Sequence, residues 1–403
     1  MVVVVDPAVR IISETNQIFV LHPGQQKKFM QDFVESQAVF LDVPGISFPQ
    51  PPLAADEIVQ KKLRMSRQIR TWRNRNSPEA DAPSRSLDDY KAGGQIENLR
   101  FLNEVEDLYA DAKAGDLIII PGKGYGRTVF FGEFVNDFDP DFVLYPPRYK
   151  GEAVPARRVQ WIKQGVAKGD LSNKLIRLLQ NRQAIIRVTA PDMRHEVYER
   201  TYGDYVWGET SGNLVKVSAD DVDLRDLTKA ADLTNYFAAQ FIALRKGELE
   251  TFLSLQFEEA IESYYDRTYF GGVSVEIHSP GFFGRPMRNA AMAGYVSVML
   301  ALSAAGISAQ EGAELIVQNS VNSIVSICDV ELEADLRQTM NMYANMELWE
   351  DQICPKRQKA QATVGLTTDV SIEIVDDAAA PASSTSKYSG GQQQDAPTPS
   401  DQE

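Results

Sequence analysis

Cysteine and histidine are the scarcest reactive residues in this chain. Cys328 and Cys354, with His22, His195 and His278, are scattered over 403 residues. No ligand spacing of the zinc-site kind joins them. Two cysteines do not make a disulfide framework, which fits a reducing compartment, while a single Cys–Cys pair stays open from sequence. Long apolar runs are also missing. The start, Met1-Val-Val-Val-Val-Asp6, has no basic region and no extended apolar stretch, so a signal peptide is not expected. The one membrane-length stretch, residues 289–307, holds Ala, Gly and Ser throughout and reads as a buried helix. Positive charge is the third shortage. A formal net charge of −15 excludes a protein coated in basic charge and leaves a local basic patch as the route to polyanions. The expected location is cytoplasmic.

Hydrophobic residues make up 43% of the chain, enough for a core in each half. Single cores seldom grow past about 250–300 residues, so more than one domain is expected. The reading is α+β. Residues 1–200 form a β-rich recognition domain with a basic helix at 56–75, and 201–225 a connector. Residues 226–360 form a mainly helical domain, 361–377 a short strand or linker, and 378–403 a disordered tail of Ala, Ser, Gly, Gln, Pro and acid.

Local patterns support this division. Residues 18–22 read as a strand stopped by Pro23-Gly24, 27–35 as a helix and 38–42 as a second strand. A helix over 96–112 precedes an apolar strand at 116–121, which returns through a glycine-rich turn at 128–135. Strands are expected at 142–145, 157–162 and 184–188, with a helix at 171–181 between the last two. Helical spacing dominates 227–264, 289–305, 309–326 and 331–348, interrupted by a short strand at 271–277. The stretch 279–286, with Pro280, Gly281, Gly284 and Pro286, reads as a loop with Arg285 and Arg288 available to a ligand.

Four further features carry functional readings. Lys61, Arg64, Arg67, Arg70, Arg73 and Arg75 lie in a helix opened by Asp56 and Glu57, and the stretch from Lys61 to Arg75 holds no acid. A three-residue spacing puts the arginines on one slowly spiralling stripe, suited to phosphates, with Trp72 beside it to stack or to pack. A solvated helix face balanced by acids elsewhere is the plain alternative. Gly122-Lys-Gly124-Tyr-Gly126-Arg127 lacks P-loop spacing and sits between strands, so a hairpin turn explains it as well as a phosphate cradle, with Arg127 as a phosphate contact. Aromatics concentrate between Tyr125 and Trp161. Core packing takes about half of such a set, and Tyr125, Phe131, Tyr145, Tyr149 and Trp161 are candidates for a base pocket. Asp266, Glu276 and His278 approach the acid, acid-x-Lys pattern of magnesium nucleases, but histidine stands where lysine belongs.

Resemblance adds a fold. Phe19-Val-Leu-His-Pro-Gly24 with Asp32-Phe33 looks like the opening strand and helix of the PUA-like/EVE superfamily, and Ala38-Val-Phe-Leu-Asp-Val-Pro44 like its second strand. Arg100-Phe-Leu with Gly115-Asp116-Leu-Ile-Ile-Ile-Pro121 looks like its helix followed by Gly-Asp and an apolar strand. Gly132-Glu133-Phe and Arg157-Arg158-Val159-Gln160-Trp161 look like its closing strands, and Asp170-Leu-Ser172 with Leu175 like its next helix. Residues 17–190 thus resemble the module at the N-terminus of Mrr-type restriction endonucleases. The resemblance implies a small β-barrel with flanking helices that binds nucleic acid, in some members through a modified base. The second half does not resemble the nuclease domain that usually follows.

The combined expectation is a nucleic-acid-recognition protein, plausibly of an anti-phage or restriction system. Its helical domain would oligomerise, bind a partner protein or act as effector. No cofactor and no membrane are expected. The alternatives are a diverged nuclease, which would need magnesium, and an assembly protein using the barrel as scaffold.

Overall fold

A computed structural model describes residues 2–53, 56–92, 96–123, 128–219, 222–272, 274–276, 281–305, 314–321, 327–343 and 353–375. It is a mixed α and β molecule with a curled, half-barrel sheet. The expected tail lies outside the described residues.

The curled sheet has six strands in the order Ile185–Arg187, Ile18–Leu21, Leu117–Pro121, Thr128–Phe134, Arg157–Ala167 and Ala38–Val39. Ile18–Leu21 runs parallel to Leu117–Pro121, and every other neighbour is antiparallel. Register shifts at Val129/Phe131 and Phe131/Gly132 bend the ribbon formed with Arg157–Ala167. Gly132 is needed there, because a Cβ would come within 2.5 Å of Val159. Both faces of the sheet are covered at its centre. Phe19, Ile118 and Phe134 join one core, and Val20, Ile119 and Phe131 join another, so Leu117–Pro121 is buried throughout its length.

The Glu57–Asn74 helix packs over the first of these cores. Asp56 caps it, accepting from the Ile58 N–H at 2.7 Å. Val59, Leu63, Ser66, Ile69 and Trp72 are buried at helical spacing, which turns the arginine stripe outward. Ile96–Glu106 continues into a π-helical turn at Asp107–Asp111. The fully buried Arg157 ends that turn, donating to Leu108 O at 2.7 Å and Ala112 O at 2.9 Å.

The second half is helical around two more sheets. Met292–Ala305 packs against Leu224–Lys246, Cys354–Val364 and the Thr210–Val217 strand, and is buried on all sides from Met292 to Leu300. Among the described residues, no helix is long and apolar enough to cross a membrane.

Several expectations need correction. The connector at 201–225 carries Tyr205–Trp207 and Thr210–Val217, which pair with Arg10–Ile12 and Gly281–Met287. The loop at 279–286 is therefore mostly strand, satisfied by its neighbour's hydrogen bonds. The helix expected at 309–326 contains the strand Glu314–Val317, recruited in parallel by Val2–Asp6. Ser371–Val375 flanks Val2–Asp6 on its other side, antiparallel. Residues 2–12 thus pair with strands of the second half, because the β-branched run Val2 to Val5 favours a strand and finds its partners there.

Candidate nucleic-acid interface

The strand ends of the curled sheet open onto a cleft of about 880 Å³. His22 follows Ile18–Leu21, Gly122 follows Leu117–Pro121, Lys168 follows Arg157–Ala167 and Ala184 precedes Ile185–Arg187. Arg70 and Asn74 of the basic helix and Phe101 of the next helix form the facing wall. The volume is that of a small-molecule or nucleotide site, and it lies at one end of the curled sheet.

Charge is concentrated here. Lys27, Lys28, Arg70, Lys168 and Arg182 line the cleft against one carboxylate among the described lining residues, Asp42. Asp42 is already occupied. It takes an ion pair from Lys28 at 2.7 Å, a hydrogen bond from the Tyr149 hydroxyl and a longer contact from Arg70 at 3.9 Å. Lys27, Lys168 and Arg182 have no ion-pair partner among the described residues. Lys27 Nζ lies 2.5 Å from His22 Nδ1. Burial, then the adjacent Lys27 and Lys168, push the imidazole down to about 4, so Nδ1 accepts and the lysine donates. Burial and Lys168 together bring Lys27 itself down to about 8.

A second cavity of about 210 Å³ shares Asp42, Arg70 and Phe101 with the cleft. Val43, Leu63 and Leu102 give it an apolar floor, and Arg64 and Arg67 stand on its rim. Neither arginine makes an ion pair among the described residues. The two cavities adjoin through these shared residues, one with an apolar floor and an arginine rim, the other lined by lysines. This composite groove suits a ligand carrying both a ring and phosphate.

The predicted basic stripe is thereby divided. Arg64, Arg67 and Arg70 face the groove. Arg73 is turned into the structure, bound to Glu79 at 2.9 Å and Glu152 at 3.2 Å while lying over the Trp72 ring. Arg75 is exposed beyond the helix end and Lys61 is half-buried near its start. Trp72 packs in the core and donates to Pro78 O at 3.0 Å.

The aromatic candidates are not brought together. Phe131 and Tyr149 are fully buried in different cores. Trp161 lies edge-on to Phe130, and Tyr145 is 63% exposed. The groove's aromatic is Phe101, which entered the sequence reading only within the Arg100-Phe-Leu resemblance. Tyr125, Arg127 and His278 lie outside the described residues, and Glu276 is described in backbone only, within Ser274–Glu276. Asp266 is half-buried and caps the short Arg267–Tyr269 helix, accepting from the Thr268 N–H at 2.9 Å and its hydroxyl at 2.7 Å.

The recess residues His22, Lys27, Lys28, Lys168 and Arg182 escaped the sequence reading. The signal available was the Gln25-Gln26-Lys27-Lys28 stretch directly after Pro23-Gly24, which read as a helix start. Its cationic meaning depends on Lys168 and Arg182, remote in sequence. No family model, no curated protein and no solved structure matches the chain.

Proposed function

We propose that this protein binds nucleic acid in the groove between the mouth of the curled sheet and the Glu57–Asn74 helix. One observation carries the reading: five basic side chains around a nucleotide-sized cleft, in a chain of net charge −15. The resemblance to PUA-like/EVE modules supports it, since many such modules bind nucleic acid and some read a modified base. A flipped nucleotide would lay its base against Phe101 above Leu63 and Leu102. Arg64, Arg67 and Arg70 would hold the flanking phosphates. The second half then serves as partner-binding or effector domain, as in a restriction or anti-phage system.

The test is fluorescence anisotropy of labelled single- and double-stranded DNA and RNA across a salt series. Wild type is expected to bind and to weaken as salt rises. The double variant Arg64→Ala/Arg67→Ala is expected to bind more weakly, with a log–log salt slope shallower by about 2. Binding to none of these at low salt overturns the proposal.

A further inference from the structure

The groove is not evenly charged. Its deep end gathers Lys27 and Lys168, with no carboxylate within ion-pair reach among the described residues. Lys168 is 6% exposed, opens the Lys168–Asp170 turn and lines the cleft. A buried lysine without a counter-charge is costly unless a ligand supplies one. The neighbouring Lys27 adds repulsion, and both ammonium groups are held below their usual range, by burial and, for Lys27, by Lys168 as well. His22 adds no positive charge near neutrality and fixes the Lys27 Nζ through Nδ1. Its Nε2 is buried beside the Asn181 backbone without reaching normal hydrogen-bond geometry. Gln25 and Gln26, whose backbone N–H groups have no acceptor among the described residues, line the same cleft, as does the exposed Arg182.

A chain-internal phosphodiester carries one charge and must enter and leave a site at both ends. A phosphate monoester carries close to two charges at neutral pH and leaves by one end. The recess supplies two ammonium groups with no ion-pair partner among the described residues, which matches the two charges of a monoester. We infer that the Lys27–Lys168 recess holds a terminal phosphate monoester, so that the groove reads a phosphorylated nucleic-acid end or a free mononucleotide. This rests on the proposed function for the groove and sharpens its ligand. It also divides the labour: Arg64, Arg67 and Arg70 follow the strand, while Lys27 and Lys168 test its terminus. Asp42, held by Lys28 and the Tyr149 hydroxyl, lines both cavities where they meet.

The experiment compares one single-stranded oligonucleotide carrying a 5′-phosphate, a 3′-phosphate or hydroxyls at both ends, with a nucleoside 5′-monophosphate and inorganic phosphate as competitors. Wild type is expected to prefer one phosphorylated end by about tenfold or more, the worth of a charged hydrogen-bond pair. In Lys168→Met and, separately, Lys27→Met, the ratio between phosphorylated and hydroxyl ends is expected to fall to near one. Thermal melting checks that each variant is folded, and Lys27→Met serves should the more buried site not tolerate change. Equal binding of all three ends by wild type overturns this inference and leaves the groove proposal standing. Binding of the mononucleotide without any oligonucleotide does the reverse, sparing the recess and removing the nucleic-acid reading.

Discussion

Glu199 is buried on the Pro191–Tyr202 helix, with its Oε1 lacking a hydrogen-bond partner. Gly284 makes room for the carboxyl: a Cβ there would stand 2.3 Å from Glu199 Cδ. Burial, together with Glu196 and Asp204 and against the pull of Arg200, raises the carboxyl from 4.5 to about 8. Nearby Asp204, also raised by burial, reaches about 7 although Leu214 N–H and the Ser297 hydroxyl donate to it. The folded form thus keeps protons that the unfolded chain has released. Stability is full below the ordinary carboxylate range and falls as pH rises through the folded values of about 7 and about 8. Urea denaturation between pH about 5 and about 8 is expected to show this decline, and Glu199→Gln to flatten it. An unchanged slope in the glutamine variant would assign the decline elsewhere. At the same scale, Gly284→Ala is expected to cost ~1–3 kcal/mol by overpacking against that carboxyl, measured by the same denaturation.

The Glu57–Asn74 helix combines two uses of arginine that sequence spacing presents as one. Arg64 and Arg67 are open to the groove, whereas Arg73 is bound to Glu152, 79 residues away. Glu152 also receives Arg85, and its side chain is 11% exposed. Arg73→Ala is therefore expected to act on stability, by ~1–3 kcal/mol, because it strips a partner from a largely buried carboxylate. Chemical denaturation measures that loss, while Arg64→Ala is expected to leave the midpoint nearly unchanged. What was legible in sequence follows the same division. The helix start at Asp56 and the turn at Pro23-Gly24 depend on near neighbours, and the structure has them. The partner of Arg73, the burial of Phe131 and the meeting of Lys27 with Lys168 depend on distant chain, and periodicity carries no record of them. Glu314–Val317 shows the limit best. It became a strand because Val2–Asp6 lay beside it, not through any local preference that the surrounding helical pattern revealed.

Across the whole molecule, the two halves are laced rather than strung in sequence. Arg10, on a strand of the second half's sheet, pairs with Glu133 of the curled sheet at 2.8 Å, and Tyr202 donates to the same carboxylate. Val2–Asp6 lies between Glu314–Val317 and Ser371–Val375, the central strand of its sheet. Deleting residues 371–375 removes its antiparallel partner and opens a new sheet edge. Limited proteolysis of that variant is expected to cut the second half first and to spare the curled-sheet unit. Simultaneous cutting of both halves would show that the lacing makes them a single cooperative body.

That central strand also sets an order of events during synthesis. The strands of the curled sheet all lie between residues 18 and 187, so that unit has its whole complement early in translation. Val2–Asp6 emerges before any of it, yet its last neighbour is Ser371–Val375. A valine-rich segment therefore waits without either strand partner until residues 314–317 have been made, exposed to chaperones or to the same segment on a neighbouring ribosome.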